Sequence, residues 1–136
     1  MFGEKMDKTS LDFKNYLQAD SYSKGWGKEY WLFNNENLCC KVLRLEKNKQ
    51  CSLHFHLEKE EIFFVIEGQM ALTWIDTQTG AEHLRELSKG DSVFISRGMP
   101  HSFCGMSDEP CLFLEASTHH EEHDSYRVRP GDSQKL

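Results

Sequence analysis

Ser52-Leu53-His54-Phe55-His56-Leu57-Glu58-Lys59-Glu60-Glu61, followed by Ile62-Phe63-Phe64-Val65-Ile66-Glu67-Gly68, reads as two strands joined by a tight turn. Residues two apart on a strand face the same side. His54 and His56 therefore project together, while Leu53, Phe55 and Leu57 face the other way. Glu61 opens the second strand, and an antiparallel return brings its carboxylate back to the two imidazoles. Two imidazoles and a carboxylate suit Zn, Mn, Fe, Co or Ni. A His-x-His pair alone is more often surface or core histidine. The glutamate, the apolar strand and Gly68 that follow it raise the specificity.

Working outward, short segments rich in β-branched and aromatic residues alternate with Gly, Asn, Asp and Pro punctuation from residue 29 onward. Strands are expected at 30–33, 38–46, 50–56, 61–67, 69–76, 82–87, 92–96, 101–104 and 111–117. Many strands at close spacing predict a closed or double-sheet all-β fold. Residues 9–20 are read as a short helix with weak apolar spacing, and residues 21–28, around Gly25-Trp26-Gly27, as a loop. A later strand delivers His101 after Gly90-Asp91, Val93-Phe94-Ile95 and Gly98-Met99-Pro100.

These motifs resemble those of the cupin superfamily. The first family motif, G-x5-HxH-x3,4-E-x6-G, is matched by His54, His56, Glu61 and Gly68, with Asn48 or a neighbour in place of the opening glycine. The second, G-x5-PxG-x2-H-x3-N, is matched by Gly90, Gly98 and His101, with Ser96 for the usual proline and Gly105 for the asparagine. The resemblance covers roughly Tyr30 to Ser117. It implies a single-domain cupin, a double-stranded β-helix or jelly-roll barrel, with a short N-terminal arm or helix. The expected layout is an arm over 1–28, the barrel over 29–118 and a C-terminal tail over 119–136. It also implies one divalent metal ion (Zn, Mn, Fe, Ni or Co) held by His54, His56, Glu61 and His101.

The bulk numbers set limits. A chain of 136 residues suits one domain, and 38% hydrophobic with 28% charged residues reads as globular. The net charge of -6 and the lack of a Lys/Arg stripe disfavour nucleic acid. The longest apolar run, Ile62 to Ile66, is too short to span a bilayer, and residues 1–10 lack the apolar stretch of a signal peptide. The expected partner is a small molecule, and the expected location cytoplasmic. Five cysteines (Cys39, Cys40, Cys51, Cys104, Cys111) without CxxC spacing read as reduced, mostly buried thiols.

Fold alone does not name a cupin's function. Trp26-Gly27 before the first strand and the closing run Asp124-Ser125-Tyr126-Arg127-Val128 are loosely similar to mannose-6-phosphate isomerase-like cupins. That similarity implies a carbohydrate or sugar-phosphate ligand and isomerase-like chemistry, with polar contacts from Lys41, Arg44, Gln50 and Arg127 and with Phe63 beside the metal. No catalytic residue is assigned. Three His and one Glu leave two positions on an octahedral ion, which an Fe(II)-dependent dioxygenase would also use. A non-catalytic sugar-binding cupin is the third reading. An isomerase calls for a donor-rich pocket with an extra carboxylate or Lys near the metal, and an oxygenase for a more apolar one. Ile62, Phe64 and Ile66 face outward and predict a homodimer. His119, His120 and His123 read as a ligand-rich surface tail, and His83 as a surface strand position.

Overall fold

The computed structural model describes residues 11–135. It is built almost wholly of strands: β1 (Asp20–Lys24), β2 (Gly27–Asn34), β3 (Leu38–Leu45), β4 (Leu53–Phe55), β5 (Glu61–Glu67), β6 (Gln69–Ile75), β7 (Glu82–Ser88), β8 (Ser92–Ile95), β9 (His101–Gly105), β10 (Cys111–Thr118) and β11 (Tyr126–Arg129). They form two antiparallel sheets, a six-stranded one in the order β1-β2-β3-β10-β5-β8 and a five-stranded one in the order β11-β4-β9-β6-β7. This is the jelly-roll arrangement that the strand pattern and motifs predict. No helix among the described residues is long and apolar enough to cross a membrane.

Alternation sets what faces inward. Along β5, Glu61, Phe63 and Val65 are buried while Ile62, Phe64 and Ile66 are exposed. Register carries the same phase across the sheet: Phe63 lies opposite Glu115 and Val65 opposite Phe113. Glu115 and Phe113 in turn oppose Lys41 and Leu43. The inner face of the larger sheet is thus graded, charged at one end (Lys41, Glu61, Glu115) and apolar further in. Phe63, Phe103 and Phe113 meet edge to face, with ring centroids 5.1 to 5.8 Å apart. Such contacts add about 0.5–1.5 kcal/mol each beyond burial.

The ends differ from the sequence expectation. Residues 21–28, read as a loop, belong to a hairpin in which Asp20 pairs with Trp31 and Lys24 with Gly27. Four of the five β1 residues are exposed, so no apolar alternation marks the strand. At the hairpin turn Trp26 is buried edge-on against Phe103, 5.0 Å away. Of the expected helix, residues 9 and 10 lie outside the described residues. The remainder holds one 3₁₀ turn, Tyr16–Gln18, started by the Asn15 side chain accepting from Leu17 N–H. The segment set apart as a tail returns to the smaller sheet as β11, where Tyr126 pairs with Phe55 and Arg127 with His54.

Gly68 is the whole connection between β5 and β6. Its φ is +82°, and a Cβ there would stand 2.9 Å from the Cys111 backbone. Both the left-handed conformation and the close approach require glycine. Gly68→Ala is expected to cost about 1–3 kcal/mol, seen as a lower urea midpoint at unchanged m value. A wild-type midpoint would show that the hairpin relaxes without strain.

Candidate metal centre

Three imidazoles converge inside the barrel. Strand pairing sets His54 directly opposite His101, and alternation along β4 and the residue after it brings in His56. Their candidate donor atoms all lie within 4.8 Å of one another. Each ring makes the same contact on its outer side. Nδ1 of His54 is 2.8 Å from Ser52 O, Nδ1 of His101 is 2.8 Å from Met99 O, and Nδ1 of His56 is 2.6 Å from Asp124 O. A carbonyl oxygen only accepts, so each Nδ1 carries the proton and each Nε2 keeps its lone pair for the centre.

Glu61, outside that group of three, is the fourth candidate donor. Its Oε2 stands 3.3 Å from Nε2 of both His56 and His101. The alignment completes no hydrogen bond: Oε2 of Glu61 and Nε2 of His101 are buried without a partner. Buried orphan acceptors are costly and call for an occupant. Burial would raise the Glu61 carboxyl, but the Lys59 ammonium and the two imidazoles hold it well below its ordinary value. Burial, with the other two imidazoles, pushes His54 down to about 3, so its ring is neutral at neutral pH. Inward-facing Nε2 atoms, an ionised carboxylate and orphaned buried atoms together fit a divalent cation.

A cavity of about 380 Å³ opens beside this group. His54, His56, Glu61, Lys41, Lys59 and Glu115 line it, along with Phe63, Trp26 and Arg127. Lys59, which no sequence pattern singled out, is buried with its Nζ 2.7 Å from Glu115 Oε2 and 3.9 Å from Glu61 Oε1. Burial would lower its pKa, and the two carboxylates raise it instead. Lys41 is also fully buried, 3.9 Å from Glu115 and 4.0 Å from Glu29, with its ammonium 4.2 Å from the centre of the Trp31 ring. The two buried ammonium groups thus lie among three carboxylates, Glu29, Glu61 and Glu115.

Of the five expected substrate contacts, Lys41, Phe63 and Arg127 line the cavity, and Arg44 and Gln50 do not. Arg44 is out of phase with the inward set Lys41, Leu43 and Leu45; it is exposed and pairs with Glu46 at 3.2 Å. Gln50 precedes β4 at an exposed position and bridges Cys104 across the loop. In the C-terminal segment His120 turns inward to place Nδ1 3.1 Å from Lys59 Nζ, whereas His119 pairs with Glu121 at 2.6 Å. Cys51 lines the cavity as well, but burial pushes its thiol up to about 12. It is a packing residue rather than a nucleophile.

The turn between His56 and Glu61 is held from the far end of the chain. Buried Asp124 accepts amide hydrogen bonds from Leu57 (2.8 Å), Glu58 (3.2 Å) and Lys59 (3.0 Å). Together with its own carbonyl on His56, these bonds fix how His56, Lys59 and Glu61 approach one another. Strand periodicity reveals nothing of this, because Asp124 lies in an irregular stretch 68 residues beyond His56.

Comparison with known proteins follows the same lines. The family model described as "Cupin domain" matches residues 41–117. Among solved structures, oxalate decarboxylase from Bacillus subtilis at pH 4.6 is 20% identical, with a TM-score of 0.73 over 88% of this chain and 33% of that one. The Lactobacillus farciminis oxalate decarboxylase formate complex is 21% identical, with a TM-score of 0.71 over 88% of this chain and 38% of that one. At such identities the likeness is one of fold, and this chain spans little more than a third of their length. No curated protein matches the chain.

Two outcomes are expected. Asp124→Ala should weaken metal binding by about 10–100-fold while the barrel stays folded, as read by competition with a chromophoric chelator; unchanged affinity would remove Asp124 from the account. The second concerns acid stability. Burial would raise the Glu115 carboxyl, but Lys59 and Lys41 hold it below the ordinary 4.5. Its charge therefore stabilises the fold above about pH 4.5, and that contribution is lost as pH falls toward the lowered value. Glu115→Gln should cost roughly 3 kcal/mol at pH 7 and flatten the fall in thermal midpoint below pH 4.5. An equally steep acid limb in the variant would contradict this.

Proposed function

The chain belongs to the cupin family, and from that premise we propose that it is a metal-dependent isomerase of a small polyhydroxylated carbonyl compound, a sugar or sugar phosphate. The observation that carries the reading is the buried Lys59–Glu115 pair, 2.7 Å apart, in the wall of the cavity that His54, His56 and Glu61 also line. An aldose–ketose interconversion moves one proton between adjacent carbons and another between their oxygens. Both transfers need charged groups that return to their starting state.

A divalent ion held by His54, His56, His101 and Glu61 would supply Lewis-acid polarisation of the carbonyl and its neighbouring hydroxyl. The chain's own residues account for the rest. Glu115 is ionised, and its Oε2 lacks an aligned hydrogen-bond donor despite its contact with Lys59. In this reading it takes the proton from one carbon and returns it to the next. Lys59 offsets its charge while it is ionised. Lys41, whose ammonium stands 3.9 Å from Glu115, gives a proton to the carbonyl oxygen and takes one back from the neighbouring hydroxyl, which closes the second transfer. Arg127 at the cavity wall adds a donor for a hydroxyl or phosphate. A dioxygenase with the same donor set would favour apolar walls, whereas this lining is charged.

A second copy of the chain belongs to the same proposal. Ile62, Phe64 and Ile66 are 46%, 41% and 37% exposed, and Phe94, paired with Ile62 on the neighbouring strand, is 53% exposed. This contiguous apolar face is suited to burial against its own copy. Light scattering is expected to give twice the 15.9 kDa chain mass, and a monomer at micromolar concentration would count against the dimer.

The activity test incubates metal-loaded protein with a panel of aldoses, ketoses and their phosphates in deuterium oxide. Isomerisation with deuterium exchange at the carbon beside the carbonyl is expected. Glu115→Gln should slow turnover by about 10²–10⁴-fold while still binding metal. Saturable sugar binding without turnover would mark a binding module instead.

A further inference from the structure

The two sheets do not close on each other at β7 and β8, which are the terminal strands of their respective sheets. A second cavity of about 270 Å³ lies between them. Its walls are mainly apolar, from Leu72, Trp74, Leu87, Val93, Ile95 and Met99. His101 also lines it, and the same imidazole meets His54 and His56, which line the first cavity.

One cation, the exposed Arg85, lines the rim of the slot. Register places Arg85 opposite Leu72 and Leu87 opposite Met70, and Leu72, Leu87 and Met70 are all buried. Directly opposed residues share a face, so Arg85 sits on the inner face of β7. An inward charge on an edge strand guards against edge-to-edge pairing. That role explains a charge there but not an apolar chamber beneath it. Arg44, Arg97 and Arg129 each pair with a glutamate, whereas among the described residues no carboxylate lies within ion-pair distance of Arg85 or of Arg127, which lines the other cavity.

We propose that this slot binds a small amphipathic carboxylate. Its hydrocarbon body would pack among Leu72, Trp74, Val93 and Met99, and its carboxylate would take the guanidinium of Arg85 as a two-pronged donor. The volume of about 270 Å³ is roughly nine times a water molecule's share of about 30 Å³ in the liquid, which gives room for a short-chain acid. The slot is distinct from the cavity of Lys41 and Glu115, and its occupancy does not depend on turnover there.

The test titrates hexanoate into the full-length, metal-loaded chain and follows the Trp74 indole resonance by NMR, assigned with Trp74→Phe. Saturable shifts are expected for hexanoate, with affinity at least about tenfold weaker for 1-hexanol in the wild type and for hexanoate in Arg85→Gln. Met99→Trp, which fills the slot and leaves Arg85 in place, should abolish the shifts. No saturable shift with hexanoate, equal affinity for the alcohol, or undiminished binding in Arg85→Gln would each overturn the proposal.

Discussion

Each imidazole at the centre of the barrel donates Nδ1–H to a backbone carbonyl, and that contact decides what its other nitrogen can do. For His54 and His101 the acceptor lies two residues upstream, at Ser52 and Met99, so the strands carry their own anchor. For His56 it is Asp124, brought from the far end of the chain. The third ring is therefore oriented only once the C-terminal segment has folded back. The pairing of β11 with β4 and the Asp124 carboxylate on the 57–59 amides belong to the same act of assembly.

Around this anchor the interior is arranged by charge rather than by apolar packing alone. Two fully buried lysines are rare, because an ammonium leaves water only when carboxylates replace its solvation. Lys59 and Lys41 share Glu115, and they reach Glu61 and Glu29 respectively. Such a cluster is no route to extra stability, since well-packed apolar residues of the same volume do as well. It forms the wall of a polar cavity, and the ring-on-ring packing of Phe63, Phe103 and Phe113 lies further in.

The legible parts of the sequence were those governed by strand alternation. His54 and His56 on one face, Glu61 with Phe63 and Val65 inward, and Ile62, Phe64 and Ile66 outward all follow from a period of two. The inward turn of Lys41 obeys the same rule against Leu43 and Leu45, and Arg44 falls out of phase by it. What alternation does not supply is pairing. Lys59 sits in a turn, where no period assigns a face, and its partner Glu115 is 56 positions on. Asp124 acts through backbone groups that have no sequence signature. No apolar alternation marks β1, because its polar residues lie at a sheet edge with most side chains in solvent.

The central claim is that His54, His56, His101 and Glu61 hold one divalent ion. The most direct measurement is the metal content of untagged protein purified without chelator, beside His101→Ala. Close to one equivalent of a transition metal per chain is expected in the wild type, lost in the folded variant. Metal-free wild type that fails to take up added ions, or metal retained in full by His101→Ala, would contradict it.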